Sequence, residues 1–286
     1  MSYNVPMFAI RAPDHLGDGV MALPAIAAIA ALGPTRVYAP RWGAELYYGL
    51  EVHPKDDRPS ADVGVLLKPS FGAAWRWRHL PRRVGIATMG RSVLLTDPLA
   101  VRDEHRRDGY ARVAMELGAG WPGLPTYRAR GTSPALVHGS VALNPWSPTV
   151  TVRWPRFRAL ADMLVERGVP VVFFCGPGEA DAVAAIAGPH PLLAGLSLPD
   201  FAAALDQCRA FVSNDSGAAH FAAACGVPVT MIHGSTVARR TGVGQPVDGP
   251  PLACRPCYRK SCFRALECLT EVSAERVLGV LLEPAG

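Results

Sequence analysis

Residues 169–187 read VPVVFFCGPGEADAVAAIA. Val169 to Cys175 is apolar without alternation, the pattern of a strand covered on both faces. Gly176-Pro-Gly178 breaks the run, and Glu179 to Ala187 has the Ala-rich pattern of a helix. The same unit recurs on both sides. Upstream, Val141 to Asn144 (VALN) leads to an amphipathic helix from Arg156 to Arg167. Downstream, a strand at Phe211 to Ser213 leads to a helix from Gly217 to Cys225, and Val229 to His233 (VTMIH) is another strand. Helices at Leu198 to Gln207 and Ser273 to Leu282 complete this half.

An earlier series has the same grammar. Val5 to Arg11 is a strand, followed by a Gly-rich turn and an Ala-rich helix from about Val20 to Leu32, with Pro24 in its first turns. Arg36 to Ala39, Val63 to Leu67 and Val84 to Ala87 read as strands, Asp108 to Leu117 as a helix, and Gly118 to Ser133 as a connector. Such alternation builds parallel sheets covered on both faces. The expectation is an α/β chain of two doubly wound, Rossmann-like domains, residues 1–135 and 136–286, facing across a cleft. Ligands of such sheets bind beyond the carboxyl ends of the strands. The loops that matter are then 11–19, 68–72, 144–156, 175–179, 213–217 and 233–241.

Composition narrows the classes. The 286 residues are 49% hydrophobic and 19% charged, too apolar for a disordered chain. A net charge of +5 favours anionic ligands without the basic footprint of a nucleic-acid binder. The longest run free of Asp, Glu, Lys, Arg and His, Gly19 to Thr35, is shorter than the roughly 20 residues of a membrane span. The N-terminus lacks the basic and apolar regions of a signal peptide. Seven cysteines with no export signal suit a reducing, cytoplasmic compartment.

The loops carry the chemistry. Arg11-Ala-Pro-Asp14-His15-Leu-Gly-Asp18-Gly19 places two acids and a histidine at the opening of a helix. Asp18 is either a helix cap or a carboxylate available to a ligand. In 144–155, NPWSPTVTVRWP, Asn144 ends a strand and Arg153 precedes a helix, a favourable place for a phosphate ligand. Glu179 follows Gly176-Pro-Gly178, where a carboxylate can accept from a ribose diol. In Ser213-Asn-Asp-Ser-Gly-Ala-Ala-His220, the Ser216 hydroxyl and the N–H groups of Ser216, Gly217 and Ala218 form an anion seat suited to a diphosphate. Asp215 either caps that helix or holds His220, itself a ligand or a core histidine. Cys254, Cys257, Cys262 and Cys268 fall within fifteen residues, spacing compatible with one structural zinc or iron, or with free thiols.

Taken together and in order, these segments resemble glycosyltransferase family 9, the ADP-heptose:lipopolysaccharide heptosyltransferases. The carriers are LGDGVMALPAI, RRVGI at 82–86, NPWSPTVTVRWPRFRALADML, GPGEADAV, SNDSGAAHFAAACGVPV with IHGST, and the tail CRPCYRKSCFRALECL. The resemblance implies a GT-B fold with an acceptor-binding N-terminal domain and a nucleotide-sugar-binding C-terminal domain. It implies inverting transfer of a heptose or related sugar from a donor such as ADP-heptose to a saccharide hydroxyl, as in lipopolysaccharide inner-core synthesis, without a catalytic metal or other cofactor. The base of the family's L-G-D turn falls on Asp18. Donor contacts fall on Asn144, Arg153, Glu179, Asp215, Ser216, Gly217, Ala218 and His220, acceptor contacts on Asp14, His15 and Arg83. The chain departs from the family in having Arg153 for the usual Lys and Trp146 and Ser147 for small residues.

Three other readings stand beside it. One is a nucleotide-dependent oxidoreductase, which needs a complete glycine fingerprint with an acid about 20 residues on; no segment supplies both. Another is a non-catalytic nucleotide- or metal-binding protein. The third is the same chemistry with another nucleotide sugar and a small-molecule acceptor, such as an antibiotic or glycoside precursor. The basic stretch Trp75-Arg-Trp-Arg-His-Leu-Pro-Arg-Arg83 is a solvated face or a contact for a phosphorylated glycolipid or the inner face of a membrane.

Overall fold

The computed structural model describes residues 5–282. The chain forms two compact units, 1–126 and 127–286. The division falls ahead of the expected 135/136 boundary because Tyr127 belongs to the second unit. Its N–H donates to Ala224 at 2.7 Å and its ring packs 4.8 Å from that of Phe221.

The first unit runs β1 (Phe8–Arg11), α1 (Leu16–Ala30), β2 (Thr35–Ala39), α2 (Gly43–Leu46), β3 (Glu51–Pro54), β4 (Val63–Leu66), α3 (Phe71–Arg76), β5 (Arg82–Ile86), β6 (Asp97–Leu99) and α4 (Arg106–Glu116). Its sheet is parallel throughout, in the order β3-β2-β1-β4-β5-β6. β1 and β4 are buried along their whole length, as doubly covered strands must be. Ala9, Tyr38, Leu66, Trp77 and Leu80 form part of the core. Helix α1 begins four residues before its expected start, so Pro24 lies well inside it rather than in its first turns. Burial of Val20, Met21, Ala25, Ile26 and Ile29 outweighs the N–H that Pro24 lacks.

The second unit runs β7 (Val141–Asn144), α5 (Phe157–Glu166), β8 (Val171–Cys175), α6 (Ala180–Ala187), β9 (Leu192–Ala194), α7 (Leu198–Asp206), β10 (Ala210–Asn214), α8 (Gly217–Ala224), β11 (Val229–His233), α9 (Ala238–Thr241), β12 (Gln245–Asp248), α10 (Glu267–Thr270) and α11 (Ala274–Leu282). Its parallel order is β12-β11-β10-β7-β8-β9. Both sheets therefore have the doubly wound order, with the chain reversing direction between β1 and β4 in one and between β7 and β10 in the other. The core of the second unit joins Leu143, Phe157, Leu160 and Phe173 to Leu269, Val272 and Val277 from the end of the chain. No helix among the described residues is long and apolar enough to cross a membrane.

Candidate functional site

In the second unit the crevice lies where β7 and β10 end. Asn144 and Asn214 close these strands, and both are buried. Asn144 donates to the Phe174 carbonyl at 3.0 Å, tying β7 to β8. Asn214 reaches in two directions. It donates to the Pro145 carbonyl at 2.7 Å, and its own side-chain oxygen accepts from the Trp154 N–H at 2.9 Å. This one side chain holds both ends of the 145–154 loop against the end of β10. Asn144 is thus a structural tie, and Asn214, which sequence reasoning left out, is the organiser. Its only signal was its place in the quoted SNDSG segment.

The loop held in this way carries Arg153. The Arg153 guanidinium lies 3.6 Å from the centre of the Trp146 ring and donates to the Ser147 carbonyl. Helix α8 follows the strand that Asn214 closes. Ser216 caps the helix, its hydroxyl accepting from Ala219 N–H at 3.4 Å and sharing a 2.8 Å hydrogen bond with Ser213. Residues 215–218 are half-buried, so the first-turn N–H groups, which have no partners within the helix, face a reachable surface.

Ser216 rather than Asp215 caps α8. The Asp215 carboxylate accepts from Thr241 Oγ1 at 3.0 Å and lies 3.7 Å from His233 Nδ1. His220 is buried one turn into the helix. His233 is fully buried at the end of β11; burial pushes its imidazole down in spite of Asp215 and Asp248, which keeps it neutral at ordinary pH. Glu179 accepts from Gly176 N–H at 2.8 Å, closing the turn after β8. Gly178, at φ +78°, supplies the left-handed step this turn requires.

The cysteine segment meets the same edge of the sheet. Cys257 and Tyr258 N–H both donate to the Ser235 carbonyl at 3.1 Å, and Thr151 Oγ1 donates to Arg259 O. Arg255 is the staple. Its guanidinium donates to the carbonyls of Gly234 (2.7 Å), His233 (3.2 Å), Pro250 (3.2 Å) and Gly249, and to Asp248 Oδ1 at 2.9 Å. Sequence reading offers no signal for this role.

The structure gives no support to the metal alternative for the cysteine segment. Among the described residues no three or more Cys, His, Asp or Glu side chains gather as a metal-ligand set. Cys268 is buried in α10 against the core, its thiol pushed up by burial, with Cys262, Cys257 and Cys254 adding to the effect. Cys262 is exposed, its sulfur accepting from Arg264 N–H at 3.3 Å.

In the first unit the chemistry lies where β1 and β4 end. Asp14 bridges two cations, Arg11 Nη2 at 2.6 Å and Lys68 Nζ at 2.8 Å. Burial alone would raise its carboxyl, but the hydrogen bonds and charges of Lys68 and Arg11 prevail and hold it at about 2. His15 is exposed and opens α1 without a side-chain cap. Asp18 lies in the first turn of α1 and does not cap it. Its carboxylate accepts from Arg106 Nη1 at 2.7 and 3.0 Å. Gly19 is small for packing, since a Cβ there would meet the Trp42 ring at 2.6 Å. Arg83 does not join this group. It sits near the start of β5, and its guanidinium donates to the Leu94 carbonyl at 2.6 Å and to Leu80 O.

Two doubly wound parallel units, each with its polar side chains at the carboxyl edge of the sheet, define an α/β protein of the GT-B class. The model of "Glycosyltransferase family 9 (heptosyltransferase)" matches residues 128–272, half of the chain, and the chain belongs to this family. Lipopolysaccharide heptosyltransferase 1 of Pseudomonas aeruginosa is 35% identical over 122 residues, covering 40% of this chain and 34% of that protein, about a third of the relative's length. E. coli ADP-heptose lps heptosyltransferase II superposes with a TM-score of 0.75 at 21% identity, over 96% of this chain and 97% of that one. The iron-containing dodecameric glycosyltransferase TibC of enterotoxigenic E. coli H10407 gives 0.70 at 16% identity, over 96% and 75% of the two chains. At these identities the solved structures establish the fold.

Proposed function

We propose that the protein is an inverting glycosyltransferase that moves a heptose or related sugar from an ADP-sugar to a saccharide hydroxyl. The observation that carries this reading is the Asn214 clamp, which holds the loop carrying Arg153 at the end of β10, the strand that leads into α8. A cation and a row of N–H groups at one place suit a diphosphate. ADP-heptose, named for the E. coli relative, is the donor the reading takes first.

In the proposed reaction the acceptor oxygen attacks the anomeric carbon from the face opposite the diphosphate. Asp18 takes the hydroxyl proton as the new C–O bond forms. The bond between the anomeric carbon and the phosphate oxygen breaks, and ADP leaves with the electron pair. Arg153 and the amides of Gly217 and Ala218 stabilise the charge that develops there. Glu179 is assigned to the donor ribose, and Asp14 with Lys68 to the acceptor side.

The reading includes peripheral contact with the inner face of a membrane, where a glycolipid acceptor resides. Its support is the exposed pair Phe71 and Trp75, stacked with centroids 6.4 Å apart, with the Arg78 guanidinium 4.1 Å from the Trp75 ring.

The test is thermal shift with ADP-, GDP- and UDP-sugars, followed by ADP release from ADP-heptose by wild type and Asp18→Asn. The expected result is stabilisation by ADP-sugars alone and a rate loss of roughly 10²–10⁴-fold in the variant. A fully active Asp18→Asn enzyme would remove Asp18 from the mechanism. Stabilisation by UDP- or GDP-sugars instead would change the donor.

A further inference from the structure

Helix α4 lies against α1 and brings two residues, one turn apart, to Asp18. Arg106 Nη1 donates to both carboxylate oxygens, at 2.7 and 3.0 Å, across 88 residues of sequence. Tyr110, four positions on and therefore on the same helix face, lies near the same carboxylate. The two differ in setting. Tyr110 is 6% exposed, whereas the Arg106 side chain is 58% exposed. Burial first, and then the nearby Asp18 charge, push the Tyr110 phenol well above its usual range. It stays protonated at every pH the protein meets, so toward the carboxylate its O–H is a donor.

Packing alone does not require this arrangement. A phenylalanine would fill the position of Tyr110 between α1 and α4, and an exposed ion pair such as Arg106–Asp18 adds little to stability. What the pair does achieve is a single orientation for a carboxylate in the first turn of a helix, where a proton acceptor must point outward. Other groups near the start of α1 are engaged elsewhere, apart from the exposed His15. Tyr47 lies 3.4 Å from the Gly19 carbonyl, and Arg11 holds Asp14.

We propose that Arg106 and Tyr110 are positioning residues for Asp18, Tyr110 as the fixed hydrogen-bond donor and Arg106 as the exchangeable one at the solvent side. The inference rests on the reading of Asp18 as the proton acceptor.

The test is steady-state ADP release from ADP-heptose, with water as the acceptor, by Tyr110→Phe, Arg106→Gln and Arg106→Lys, each alone and in the Asp18→Asn background. Melting temperature and the dissociation constant for ADP are measured alongside. Tyr110→Phe and Arg106→Gln should each lower kcat by about 10- to 100-fold, with KM for ADP-heptose and ADP binding unchanged. Arg106→Lys should recover part of the loss. In the Asp18→Asn background neither change should lower the rate further, because the group they position is gone.

Wild-type rates in Tyr110→Phe and Arg106→Gln, with Asp18→Asn inactive, would overturn the inference and leave the base in place. Additive losses in the Asp18→Asn background would overturn it as well. A fully active Asp18→Asn enzyme would instead remove the base, and the inference with it. If Tyr110→Phe lowers the melting temperature by more than about 5 °C, Arg106→Gln, at a largely exposed position, decides alone.

Discussion

The guanidinium of Arg153 lies over Trp146, 3.6 Å from the ring centre, so two of the three residues read as departing from the family resemblance are partners in one contact. An arginine stacks where a lysine would not, and the indole supplies the surface. Arg153→Ala should weaken ADP binding by about 10- to 100-fold, the size of one charge-assisted contact. Trp146→Ala should cost about 2- to 5-fold, by releasing the guanidinium from its fixed orientation. Calorimetric titration with ADP measures both. Unchanged affinity in Arg153→Ala would move the diphosphate elsewhere.

Asp14 sets an acid limit on the first unit. Its folded carboxyl value of about 2 lies below the usual carboxylate range. The stabilisation it confers is therefore complete above about pH 4 and lost as pH falls through about 2. Asp14→Asn should destabilise by about 1–3 kcal/mol at pH 6, because Arg11 stays buried without its carboxylate. The difference from wild type should shrink as melts are repeated from pH 4 toward pH 2. A difference that stays constant with pH would contradict the ion-pair account.

The thiols should react in the order of their exposure. Cys262 is exposed, Cys225, Cys254 and Cys257 are half-buried, and Cys175, Cys208 and Cys268 are buried. Iodoacetamide followed by peptide mass spectrometry should find Cys262 labelled first and the last three only after denaturation. Metal analysis of protein purified without chelator should give well under one zinc or iron per chain. One metal per chain, with all four tail thiols protected together, would restore the metal centre.

The α3 surface should prefer anionic membranes. Sedimentation with phosphatidylglycerol vesicles should carry the protein down, and phosphatidylcholine vesicles should carry much less. Trp75→Ala and Arg78→Ala, at surface positions, should reduce the bound fraction with little change in melting temperature. Equal binding to both lipids would remove the electrostatic part of the reading.

The central strands of both sheets were legible because they are apolar runs, buried on both faces. The strands that sequence reading missed are β3, β6, β9 and β12, the two edges of each sheet. They read EVHP, DPL, LLA and QPVD, short and partly exposed, three of them carrying proline. Edge strands are kept short and interrupted to prevent pairing with other chains, which removes the signal that periodicity relies on. The site divides along the same line. Ser216 and Arg153 were legible from their place at helix starts. Asn214, Arg106 and Arg255 act through partners 60, 88 and about 20 residues away, and local sequence says nothing of such distances.

Arg255 also gives the molecule an order of completion. During synthesis the first unit is whole once residue 126 has emerged, and domains commonly fold as the nascent chain delivers them. The second unit has all six of its strands by Asp248, yet the loops at their carboxyl ends are gathered only when Arg255 arrives to bind the carbonyls of 233, 234, 249 and 250. Leu269, Val272 and Val277 come later still and close the core beneath. A ribosome-bound chain thus carries a finished first unit ahead of a second whose carboxyl-edge loops are the last to set.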